Sequence, residues 1–119
     1  MDANAPIIDE AEVLRRVDGD RDLLAELAEL FLIDCESLLK RVREAVERRD
    51  REAMQTTAHT LKGSVSNFAA KAAFEAAREV EAMGRTGHFD RADIAMASLQ
   101  REIDRLTPVL QSLSRKPAR

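Results

Sequence analysis

The chain has 119 residues, 45% hydrophobic and 34% charged, a balance that suits one globular domain and excludes a disordered chain. Its net charge of −3 and its 3% aromatic content, all phenylalanine, argue against a phosphate-backbone binder and against base stacking on single-stranded nucleic acid. A single cysteine, Cys35, rules out an intrachain disulfide and points to a reducing compartment.

No apolar run approaches the ~18 residues of a membrane span. "MDANAPIIDE" lacks the basic and apolar regions of a signal peptide, so a cytoplasmic protein is expected. "IIDEAEVLRRVDGD" predicts a short first helix, with Asp9 as N-cap and a stop at Asp18-Gly19. Asp20 can cap a second, long helix whose core stripe runs Leu24, Ala28, Phe31, Cys35, Leu38, Val42 and Ala45. On that stripe Cys35 reads as a small buried hydrophobe rather than a reactive thiol. Asp50 can cap a third helix with Met54, Thr57/Ala58, Leu61, Val65 and Phe68 on its buried side.

The pattern restarts between Phe68 and Lys71. Ala73/Phe74, Ala77 and Val80 then make an alanine-rich fourth helix. "GRTGH", with Gly84 and Gly87, reads as the clearest break, and His88 there as a loop or cap residue. The last helix carries Ala92, Met96, Leu99, Ile103, Leu106, Leu110 and Leu113, with Pro108 expected to kink it or weaken its last turn. The fold class is all-α: an antiparallel four-helix bundle with an additional short N-terminal helix. Residues 1–7 read as an N-terminal arm, 8–113 as the bundle and 114–119, the basic "SRKPAR", as a disordered tail.

"AHTLKGSVSN", Ala58 to Asn67, raises a question of placement. Gly63 falls inside the third helix, where glycine costs roughly 1 kcal/mol relative to alanine. At 100° per residue, His59 lies about 200° from the buried Leu61 and shares a polar stripe with Gln55, Lys62, Gly63 and Ser66. Periodicity alone also fits an idle surface histidine. Lys62, one turn on, adds a cation, and Gly63 leaves the imidazole unobstructed on its C-terminal side. An imidazole, a nearby ammonium and room for an approaching molecule suggest chemistry on a phosphoryl group. Neutral imidazole is nucleophilic near pH 7, and Lys62 would offset the charge that arrives. Gln55 and Ser66 can orient ring or phosphate, or simply face solvent.

With these residues on the page, the chain resembles the histidine phosphotransfer (HPt) domains. His59, Leu61, Lys62 and Gly63 in "HTLKGS", preceded by Ala58 and followed by "NFAA", look like the family signature. "GDRDLLAELAELFLIDCESLLKRVREAVERRDREAMQTTAHTLKG" and "FEAAREVEAMGRTGHFD" extend the likeness from about Ile8 to Leu113. Ser66 and Ala69 stand where the family often has glycine, leaving slightly less room near the helix end.

The resemblance implies a phosphorelay protein that accepts a phosphoryl group on His59 from a receiver-domain aspartate and passes it to another response-regulator receiver. It implies Lys62 as the charge-stabilising cation, and Gly63, Gln55, Ser66 and Asn67 as receiver-docking surface, with the adjoining second helix and the first helix beside them. Ile7 and Ile8 fit that surface or the bundle end. No Gly-rich nucleotide signature is present, so ATP-dependent kinase activity of its own is not expected. No metal site or cofactor of its own is expected either; Mg²⁺ would be supplied by the receiver's active site. The expected partners are receiver domains of a hybrid sensor histidine kinase and of response regulators. Nucleic acid and membrane are not expected partners, and a free-standing monomer is. The alternative is a non-transferring helical module that binds and titrates a response regulator. A plain helical adaptor leaves Gly63 unexplained.

Overall fold

The structure, a computed structural model, describes residues 7–114, so the expectations for 1–6 and 115–119 lie outside the described residues. Five helices follow in order: α1 (Glu10–Arg16), α2 (Arg21–Arg48), α3 (Arg51–Ser66), α4 (Lys71–Thr86) and α5 (Ala92–Ser114). Ser114, the first residue of the expected tail, is still helical. None of these helices is long and apolar enough to cross a membrane.

Local chemistry fixes the starts of the first three. Asp9, Asp20 and Asp50 each accept a hydrogen bond from the backbone N–H three residues on, at 3.1, 3.0 and 3.1 Å. The stops are left-handed residues: Arg49 (φ 54°) ends α2 and Gly87 (φ 75°) ends α4. Short turns between long helices make neighbours antiparallel. In the four-helix core α3 packs against α2 and α4, and α5 packs against the same two, so α3 and α5 lie on a diagonal.

Every residue of the predicted α2 stripe is buried, Cys35 among them, and burial pushes its thiol up to about 11. Phe31 and Phe68 meet edge to face, 5.8 Å between centroids, and close the core below the end of α3. Ile8 is buried and Ile7 packs against the core, so both serve the bundle end.

One element differs from the sequence pattern. Gly84 is not a break: α4 runs through it to Thr86, and only Gly87 stops the helix. Gly84 is buried against α3, where packing offsets its weak helix propensity. α5 runs through Pro108 to Ser114, in keeping with a stripe that extends to Leu113. Pro108 itself is exposed, and Leu106 and Leu110, on either side of it, are anchored in the core.

Candidate functional site

α3 presents its polar stripe outward, as the periodicity requires, because Met54, Ala58, Leu61 and Val65 hold its other side in the core. His59 is well exposed, its side chain at 67% of full accessibility. Glu81, on α4, lies beneath the ring. Its Oε2 is 2.8 Å from His59 Nδ1, and its Oε1 is 2.7 Å from Lys62 Nζ. Glu81 is the one buried charged residue among those described, at 8% exposure.

The electrostatics of that carboxylate select the tautomer of the neutral imidazole. Burial pushes the Glu81 carboxyl up, but hydrogen bonds and charge from Lys62 and His59 outweigh burial and hold it below its ordinary value. Glu81 is therefore ionised at neutral pH and can only accept. His59 Nδ1 must donate to it, and in the neutral ring the lone pair is then on Nε2, the nitrogen that faces away from Glu81. Lys62 is half-buried, its ammonium between Glu81 and the face of Phe74, 5.8 Å from the ring centroid. One of its three N–H groups goes to Glu81.

Sequence periodicity singled out His59, Lys62, Gly63, Gln55 and Ser66, which α3 carries on its length; Asn67, expected beside them on the docking surface, is its C-cap. Gln55 is half-buried where α4 passes close to it. Ser66 does not reach the ring, because its hydroxyl donates to the Gly63 carbonyl at 2.8 Å. Thr56, Thr60 and Ser64 likewise donate back to carbonyls four residues earlier. The ring is thus oriented from α4, across the helix pair. A Cβ placed on Gly63 would meet nothing within 4 Å, so nothing inside the molecule requires that glycine.

Glu81 is the residue that sequence reading missed. It stands four after Ala77 and three before Gly84, on the buried side of α4, and a carboxylate at such a position needs a partner. That was the available signal.

Around His59 the surface is shaped by three helices. Arg16, in the last turn of α1, donates to the Ser66 carbonyl at 2.6 Å and ties α1 to the end of α3. On the other flank a groove between α2 and α3 is lined by Leu27, Leu30, Asp34, Ser64 and Asn67. Leu23 and Leu30, on one side of α2, are 41% and 58% exposed. Among the described residues no group of three or more His, Cys, Asp or Glu side chains is placed to hold a metal ion.

Comparison with known proteins places the fold and the family. A sequence comparison with curated proteins returns no match. Among solved structures the chain is similar to the crystal structure of histidine-containing phosphotransfer protein B (HptB) from Pseudomonas aeruginosa PAO1. The TM-score is 0.85 and the identity 26%, over 96% of this chain and 100% of that one. The profile of the Hpt domain matches residues 26–107. By that match, and with an exposed histidine at the centre of the matched region, the chain belongs to the Hpt domain family.

Proposed function

We propose that His59 is the phosphoacceptor of a phosphorelay step, taking the phosphoryl group of a receiver-domain aspartyl phosphate onto Nε2 and passing it to the aspartate of a second receiver. The observation that carries this is the 2.8 Å contact from Glu81 to Nδ1, which leaves the outward nitrogen as the nucleophile. In the forward step the Nε2 lone pair attacks phosphorus, the acyl phosphate P–O bond breaks, and the aspartate leaves as carboxylate. The ring, now bonded at Nε2 and still carrying the Nδ1 proton, is cationic, and Glu81 stabilises that charge. Lys62, with N–H donors to spare beyond its bond to Glu81, screens the incoming phosphoryl oxygens. Because the phosphoryl group at exposed His59 stays solvated, that screening contributes about 1 kcal/mol or less, so Lys62 tunes lifetime and rate.

Mg²⁺ and the remaining electrostatic stabilisation come from the receiver. The stripe of Gln55, His59, Gly63 and Ser66 and the exposed leucines of α2 form the docking face, with Gly63 left bare for the visitor.

The test is transfer from labelled phospho-receivers with Mg²⁺. Acid-labile, alkali-stable label is expected on wild type and at no more than about 1% of that level on His59→Gln. Melting curves of the two proteins should agree, since His59 is exposed. Receiver binding without label would indicate a titrating module, and neither binding nor label across a full receiver set would indicate an adaptor.

A further inference from the structure

Gly84 sits on α4 one turn beyond Glu81, and the part of α3 it faces is one turn before His59. The approach there is closer than any other residue allows. A Cβ at Gly84 would lie 2.7 Å from the backbone N of Gln55, 3.0 Å from the Arg51 carbonyl oxygen and 3.1 Å from Gln55 Cα. All three are backbone atoms, so no rotamer change relieves the clash. The helices would have to part by about 0.7 Å to bring 2.7 Å out to the 3.4 Å of ordinary contact.

Such a movement bears on the Glu81 carboxylate, both of whose oxygens are engaged on α3. One oxygen is committed to His59 at 2.8 Å and the other to Lys62 at 2.7 Å, two residues on α3 bridged by one planar group. The end of the pair is also pinned: Arg51 donates from Nη2 to the Arg85 carbonyl at 2.8 Å and lies against Gly87. A wedge at residue 84 would therefore open the pair on the side toward Glu81, stretching the His59 contact beyond hydrogen-bond length.

We infer that Gly84 is a positioning residue for phosphoryl transfer: by letting the backbones of α3 and α4 touch, it holds Glu81 against His59 Nδ1 and so keeps Nε2 unprotonated and outward. The inference rests on the proposed role of His59. It makes Gly63 and Gly84 opposites, one bare toward solvent and one filled by the neighbouring helix.

The experiment pairs imidazole ¹⁵N NMR with the transfer assay on wild type, Gly84→Ala, Gly63→Ala, Glu81→Gln and Gly84→Ala/Glu81→Gln. In wild type the nitrogen shifts should show Nδ1 protonated and Nε2 bare. In Gly84→Ala the Nε2–H form should gain at its expense, and transfer should slow by about threefold to tenfold. Gly63→Ala, which loses a glycine of the same helix pair without a clash, should keep the wild-type tautomer. If Gly84 acts through Glu81, adding Gly84→Ala to Glu81→Gln slows transfer no further; independent, multiplying losses would overturn the inference. An unchanged tautomer in folded Gly84→Ala would overturn it too. So would Gly84→Ala failing to fold while Glu81→Gln folds and keeps wild-type nitrogen shifts, since the glycine would then serve the bundle alone. The NMR readout needs no receiver, so absence of transfer in wild type with the tautomer response intact would sink the relay reading, and only the hold of Gly84 on the His59 tautomer would stand.

Discussion

At the scale of single residues, the site is a carboxylate shared by an ammonium and an imidazole N–H. Glu81 holds Lys62 and the Nδ1 proton of His59 together, and its ionisation carries a signed consequence. Its carboxyl titrates below the ordinary 4.5 in the folded protein, because the Lys62 and His59 hydrogen bonds outweigh burial. The stabilisation is then complete above pH 4.5 and is lost as pH falls through the lower folded value. Glu81→Gln should cost about 1–2 kcal/mol at pH 7. Denaturant titrations from pH 7 to 3 should show wild type losing stability more steeply below pH 4.5 than the variant does; parallel curves would refute the account. His59, Lys62 and Gly63 were legible in the sequence because they share one helix face, where spacing alone decides neighbours. Glu81 was not, because its contact to His59 crosses between helices and depends on how α4 is rotated against α3.

Among the elements, the turns were legible and one of their costs was not. Asp9, Asp20 and Asp50 announced their helices, and each caps as the sequence suggests. On the sequence, Ala69, where the family often has glycine, reads as leaving slightly less room near the helix end. The structure gives a different reason: Ala69 has φ 50°, in the left-handed region that disfavours a Cβ. Ala69→Gly should therefore stabilise the protein by about 0.5–1 kcal/mol, a Tm gain of roughly 2–5 °C by calorimetry. Gly84 was misread for the reciprocal reason. A glycine followed by Gly87 three residues later looks like punctuation in one dimension, and only the backbone of α3 at 2.7 Å shows it to be a contact.

For the molecule as a whole, fold and function are separated on the bundle's cross-section. α3 and α5 lie on a diagonal, so the helix that carries His59 owes its placement to α2 and α4 and leaves its outward face to a partner. Substituting Gly63 should pull stability and activity in opposite directions. Gly63→Leu should raise stability by about 0.5–1 kcal/mol through helix propensity, since a Cβ there meets nothing within 4 Å, while obstructing the receiver. A raised Tm with at least tenfold slower transfer is the expected pair of results; an unchanged transfer rate would deny Gly63 its role in docking. The burial of Cys35 has a practical corollary. The chain's sole thiol is held at about 11 inside the core and will ignore maleimides at neutral pH. A cysteine introduced at exposed Gln111 on α5 would thus be the single reactive handle, diagonal to His59, from which a fluorophore or a sensor surface can report receiver docking without standing in its way.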